Sequence, residues 1–165
     1  MAIFYLNVKP VSRSKGRSAT GSAAYRCGVA IFCERRGELH DYTRRTGVVH
    51  SEILMPANAP GWANDRSKLW NAAEKSEKRK DSTVAREYVV ALPKELTSIE
   101  RRELVREFAH ELIERHGVAV DLAIHAPGRG DINDHAHVLT STRRLGTAGF
   151  GEKSRELDAK ETGSK

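Results

Sequence analysis

Cysteine is nearly absent from this chain. Cys27 and Cys33 are the only two, and they lie six residues apart in one segment. They make neither a disulfide framework nor a zinc pair with matching partners, and a reducing, cytoplasmic setting fits best. Long apolar runs are missing as well. The N-terminal IFYLNV, residues 3–8, is too short for a signal peptide or a membrane span and leads straight into polar sequence. No internal repeat appears, and 165 residues are most simply one domain, large enough for a real core. What the chain has in excess is positive charge: 28 Lys and Arg against 22 Asp and Glu, a net +6. That balance favours a polyanionic partner, with nucleic acid the leading candidate, although an ordinary soluble basic protein carries as much.

The stretch around which the rest is organised is AIHAPGRGDINDHAHVLTSTR, residues 123–143, which holds three of the seven histidines. His135 and His137 are two apart in a β-branched run, so on a strand both rings project from one face. His125 ends a second alternating run that begins at Val118. Between the two runs lies APGRGDIND, dense in Pro, Gly, Asn and Asp, which reads as a turn. Folding that turn makes the runs antiparallel neighbours and sets His125 beside His135 and His137. Three neutral imidazoles on a rigid sheet make an open metal site of the catalytic kind. Softness favours Mn²⁺, Co²⁺, Ni²⁺ or Zn²⁺ in raw affinity, and availability favours Mg²⁺ or Mn²⁺ as the ion in use. An exposed hairpin would explain one such histidine. It does not explain three that converge by strand parity.

The remaining elements follow from periodicity and punctuation. Residues 2–8 read as a strand, apolar on both faces except at Asn7 and therefore central in a sheet. The segment KPVSRSKGRSATGS reads as a mobile cationic loop in which Lys9, Arg13, Lys15 and Arg17 suit phosphates. Residues 18–31 read as a short helix started by Ser18 or Thr20. Tyr25 sits within it among Ala23, Ala24 and Cys27, small neighbours that leave its hydroxyl accessible, with Arg26 adjacent. A lone tyrosine in such a place is more often packing than chemistry. Residues 34–50 read as an irregular or hairpin-like excursion in which Arg35, Arg36, Arg44 and Arg45 surround Tyr42, a mixture suited to single-stranded nucleic acid. A strand is expected at 48–55, a helix at 64–80 and a strand at 84–92. Glu87 begins one face of that last strand, and it is either an exposed strand-end residue or a buried carboxylate that needs a partner. The pair Thr97 and Glu100 forms a capping box, and Gly117 ends the helix between them and it. His110 and His116 belong to that helix as surface or helix-end residues. Beyond Thr142 the chain has much charge and few large apolar residues, and reads as a loose tail over 143–165. The order of elements is an α+β architecture around one sheet, with the histidine hairpin central.

Three features coincide: SAAYR at 22–26, the strand REYVVALP at 86–93, and His125 with His135-Ala136-His137. Together they resemble the MobA/MobL (MobQ-type) plasmid mobilisation relaxases of the HUH endonuclease superfamily. The resemblance covers residues 1–142, taken as the relaxase domain. It implies an RRM-like palm, a central antiparallel sheet of about five strands flanked by helices. It implies Tyr25 as the nucleophile and His125, His135 and His137 as ligands of one divalent ion. Glu87 falls on the family's acidic position, where it orients a histidine or accepts the tyrosine proton. The substrate implied is single-stranded DNA at an origin of transfer, bound also by Arg13, Lys15, Arg17, Arg26, Arg35, Arg36, Arg44 and Arg45. Accessory relaxosome proteins and a type IV secretion coupling protein are the implied partners, and a helicase or primase-like region often follows.

The chemistry suits these residue types. A tyrosine with a reference pKa of about 10 needs a base or cation nearby to act near neutrality. A phosphodiester needs its non-bridging oxygens neutralised, which a divalent ion does as a Lewis acid. Attack would leave a 3′-hydroxyl and a 5′-phosphotyrosine. A rolling-circle replication initiator shares this chemistry, but its tyrosine typically follows the histidines, whereas Tyr25 precedes them. A His₃ metal hydrolase on small substrates would need neither the tyrosine nor the basic loops, and a non-catalytic DNA-binding module would leave the histidine convergence unexplained.

Overall fold

Alternation along the strands gives the sheet two apolar faces, and each collects its own helices. The computed structural model describes residues 5–130 and 132–157. Its strands are β1 (Leu6–Ser12), β2 (Ala30–Cys33), β3 (Glu38–Asp41), β4 (Val48–Leu54), β5 (Thr83–Ala91), β6 (Val118–His125), β7 (His135–Gly146) and β8 (Gly149–Lys153). The helices are α1 (Ala19–Cys27), α2 (Arg66–Ser76) and α3 (Ser98–His116). The main sheet runs β1-β5-β7-β6-β4, with β8 paired to β7, and its neighbours are antiparallel. The strands β2 and β3 form a separate hairpin. This is the expected α+β class with the histidine hairpin, β6–β7, in the middle.

One face packs α1 and α2 through Ala19, Ala23, Leu69, Trp70 and Ala73 onto Ala119 and Leu139. The other packs α3 through Val105, Ala109, Leu112 and Ile113 onto Val120, Leu122 and Val138. The capping box starts α3: Thr97 accepts from the Glu100 amide, and Glu100 returns the bond. Helix α1 starts at Ser18, whose hydroxyl accepts from Gly21 N. It also starts against Glu74, whose Oε1 accepts from Ala19 N at 2.7 Å. A carboxylate there meets the positive end of the helix. Gly28, at φ 66°, ends the helix in a left-handed turn that few other residues adopt.

The structure corrects several expectations. Strand β1 begins at Leu6 and lies on the sheet edge, while residues 2–4 fall outside the described residues. Pro10 cannot donate to a ladder, and Leu6 and Val8 are about half exposed, both consistent with an edge. The helix read over 18–31 stops at Cys27, because Ile31 belongs to β2, and the one read over 64–80 spans only Arg66–Ser76.

Arg13 is no mobile phosphate binder. It is buried, and its guanidinium donates to Glu74 Oε2 at 2.7 Å and to the Glu77 and Arg79 carbonyls at 2.8 Å. Nor do residues 143–157 form a loose tail. They complete β7, turn into β8, and place Leu145 in the core at 3% exposure. Low apolar content misled here because ion pairs hold the segment. Arg143 Nε and Lys153 Nζ bracket the buried Glu77 carboxylate at 2.7 and 3.1 Å. Leu145→Ala should therefore cost about 2–4 kcal/mol in chemical denaturation, as a core truncation does, whereas a tail residue would cost nothing measurable.

Candidate functional site

The register of the central hairpin delivers the histidines. His125 pairs directly with His135, and Ala123 with His137, so all three leave the face that carries α1. The His125 and His137 rings lie 4.4 Å apart between centroids. On the next strand Val89 pairs with His137, so Glu87 projects from this face too. Glu87 is fully buried, which resolves its alternatives: its Oε1 accepts from His137 Nδ1 at 3.0 Å and from Arg26 Nη2 at 2.7 Å. Its Oε2 is buried without a hydrogen bond, and Arg17 Nη2 stands 3.9 Å away. Burial pushes the Glu87 carboxyl up, but the His137 bond and the Arg26 charge outweigh it and hold the group below the usual carboxylate range.

Helix α1 carries Tyr25 to the same place. Its anchor is the next residue. Arg26 gives its guanidinium to Glu87, and its carbonyl accepts from His125 Nε2 at 2.6 Å. Deeper in, Cys27 Sγ meets Asp121 Oδ1 at 3.6 Å, and Asp121 takes both nitrogens of the Arg66 fork and Trp70 Nε1 at 2.8–2.9 Å. That buried knot ties α1, α2 and β6 together. Asp121 is not among the residues that the sequence motifs single out, although an acid in an apolar strand asks for partners.

Tyr25 itself is 43% exposed. Tyr42 meets it edge-on at 5.1 Å, and the Arg45 guanidinium carbon lies over its ring, 4.0 Å from the centroid. Tyr25 lines one cleft, and Arg45, on its ring, lines another. One, of about 230 Å³, is lined by Arg17, Ser22, Tyr25, Arg26, Arg36 and His40. The other, of about 490 Å³, is lined by Arg45, Gly47, Val89 and the three histidines. Of the basic residues singled out in the sequence, Arg17, Arg26, Arg36 and Arg45 gather at these clefts. Lys15, Arg35 and Arg44 are exposed and line neither, and Arg13 is structural.

Hydrogen-bond partners fix the ring nitrogens. His137 donates from Nδ1 to a carboxylate, which leaves the Nε2 lone pair outward, the arrangement that orients metal-binding histidines. His125 donates from Nε2 to a carbonyl, which leaves its lone pair on Nδ1, 3.3 Å from Arg45 Nη2. Among the described residues no group of three or more His, Cys, Asp or Glu is placed so as to hold a metal ion as it stands. The lone pairs on His125 Nδ1 and His137 Nε2 are donors of the kind a divalent ion takes.

A profile of the MobA/MobL family matches residues 17–165. The chain belongs to the MobA/MobL family. It is 43% identical to mobilization protein MobL of Acidithiobacillus ferridurans over 96% of its own length and 47% of that protein. It is 40% identical to conjugal transfer protein TraA of Agrobacterium fabrum, covering 93% of itself and 14% of TraA. A solved structure concerned with the molecular basis of vancomycin resistance transfer in Staphylococcus aureus superposes with a TM-score of 0.86. That structure shares 33% identity and covers 98% of this chain and 86% of the other. The chain thus spans less than half the length of these MobL and TraA relatives. Among the described residues, no helix of this MobA/MobL domain is long and apolar enough to cross a membrane.

Burial lowers the His125 pKa from an ordinary 6.5 to about 4, with the bond to Arg26 opposing and the nearby His137 and cations adding. Burial likewise lowers His137, against the Glu87 bond. Each ring is neutral in the fold where the unfolded chain binds a proton. The stability that neutral His125 contributes is complete above about pH 6.5 and is lost as the pH falls toward 4, and His137 acts in the same direction. An NMR titration with chelator present should show His125 titrating near pH 4. A midpoint near the ordinary 6.5 for His125 would contradict the burial and bonding described.

Proposed function

We propose that this chain is the nicking domain of a conjugative relaxase, acting on single-stranded DNA at an origin of transfer. The observation that carries the reading is the double tie of Arg26, which fixes Tyr25 beside the face bearing His125, His135, His137 and Glu87. The names of the relatives, mobilization protein and conjugal transfer protein, point the same way. By extension the partners are accessory relaxosome proteins and a type IV secretion coupling protein.

In this scheme Tyr25 Oη bonds to the scissile phosphorus as the P–O3′ bond breaks. The phenolic proton passes in net to the departing 3′ oxygen. The product 5′-phosphotyrosine is itself a phosphodiester, so reversal rejoins the strand without ATP. A divalent ion held by the three histidines supplies Lewis-acid neutralisation of a non-bridging oxygen. Glu87 is already committed to His137 and Arg26, and its lowered pKa makes it a poor base, so its role is to orient both groups. Arg17, Arg36 and Arg45 hold backbone phosphates along the clefts.

Incubating wild-type protein and Mn²⁺ with 3′-labelled single-stranded DNA from the candidate origin should give a labelled band retarded by protein and released by protease. Tyr25→Phe should keep stability and DNA binding while losing cleavage and adduct together. Free labelled fragments without an adduct would indicate a metal hydrolase instead. Affinity should fall steeply with salt, and Arg17→Gln or Arg36→Gln should each lower the slope by about 0.7 for a single strand. Arg13→Gln should lower the melting temperature and leave the slope alone; a slope change there would return Arg13 to the DNA surface.

A further inference from the structure

The Arg45 side chain touches both the tyrosine and a histidine. Its guanidinium lies on the Tyr25 ring, and its Nη2 is 3.3 Å from His125 Nδ1. Because His125 Nε2 faces a carbonyl, which only accepts, the hydrogen is on Nε2 and the lone pair on Nδ1. Arginine has donors alone, so the contact is an Arg45 N–H directed into that lone pair. It is the lone pair His125 would offer an ion, and a guanidinium and a divalent cation cannot both use it. A neutral imidazole is also a weaker acceptor for arginine than a phosphodiester, whose charged oxygens suit the guanidinium fork. Arg45 is half-buried at the rim of the histidine cleft, within reach of both.

We infer that Arg45 is a latch that couples DNA to the metal ion. Without a phosphate in reach, it rests on Tyr25 and closes the His125 lone pair. A backbone phosphate entering beside Tyr25 draws the guanidinium to itself and opens that lone pair to the ion. The inference rests on the proposed meeting of a phosphodiester and a divalent ion at this face. The coupling is reciprocal: DNA tightens the metal, and the metal tightens DNA. Arg45 acts on the metal through His125 and is in that respect a positioning residue.

The test uses chelator-treated protein, Mn²⁺ and a short oligothymidylate. The His125 Nδ1 resonance is read by long-range ¹H–¹⁵N NMR, and Mn²⁺ affinity by calorimetry. Arg45→Gln should move the Nδ1 signal toward that of an unbonded nitrogen. Oligothymidylate should move the wild-type signal the same way and leave the variant's in place. Mn²⁺ alone should bind Arg45→Gln several-fold to about tenfold tighter than wild type, the equivalent of one released hydrogen bond. Arg45→Lys, which keeps the charge but not the fork, should fall between them. Arg44→Gln, which removes the same charge from an exposed neighbour, should match wild type.

An Nδ1 signal indifferent to Arg45→Gln would overturn the latch. So would equal Mn²⁺ affinity in the two proteins, or an equal gain in Arg44→Gln. If neither protein takes Mn²⁺, the metal reading and the latch fall together. If Mn²⁺ binds as described but no DNA adduct ever forms, the nicking chemistry falls and the latch stands.

Discussion

The site depends on Arg26. A tyrosine on a helix and histidines on a sheet become one centre only if the helix cannot slide. Arg26 prevents sliding with two bonds of different kinds. Its side chain pairs with Glu87 on β5, and its carbonyl accepts from His125 on β6. The far end of α1 is held by Glu74 at the Ala19 amide, and Glu74 is in turn fixed by buried Arg13. Small residues, Ala19, Ala23 and Ala24, let the helix lie close enough for these contacts. Holding reacting groups within a narrow geometry is a large part of what a site for phosphoryl transfer must do.

Buried charge is the cost of this arrangement. Glu87 and Asp121 are almost fully enclosed, and each is enclosed with partners: His137 and Arg26 for one, Arg66 and Trp70 for the other. Removing one partner strands the other in a low-dielectric interior, at a typical penalty of about 3–5 kcal/mol. Such groups are weak contributors to net stability but strong determinants of which geometry the chain adopts. Glu87 links the two functional strands to α1, so the orientation of His137 and the seat of Arg26 are set by one carboxylate.

Local signals made part of this legible. The period of two placed His135 and His137 on one face, and the turn-rich APGRGDIND brought His125 opposite them, as the register shows. The capping box at Thr97 and Glu100 fixed the start of α3 for the same reason: its partners are three residues apart. What failed was long-range. Arg13 looked like loop charge because its partners, Glu74 and the Glu77 and Arg79 carbonyls, lie more than sixty residues on. The segment after Thr142 looked unstructured because Glu77, which anchors it, belongs to the end of α2. Strand β1 looked central because apolar residues on two faces suit a central strand, and Pro10 was the overlooked sign of an edge. Glu87 was undecidable alone, since burial and exposure differ only in whether Arg26 and His137 arrive.

In the proposed function the tyrosine, the three histidines and a DNA phosphate form one reaction centre. Its most direct test is a crystal of the Tyr25→Phe protein with Mn²⁺ and an origin-derived single strand, examined by anomalous scattering. One strong peak is expected among His125, His135 and His137, with a phosphate oxygen against it and the phenyl ring of the substituted side chain beside that phosphorus. A peak elsewhere, no peak at saturating Mn²⁺, or a strand that passes the histidine face without a phosphate near the substituted position would contradict it.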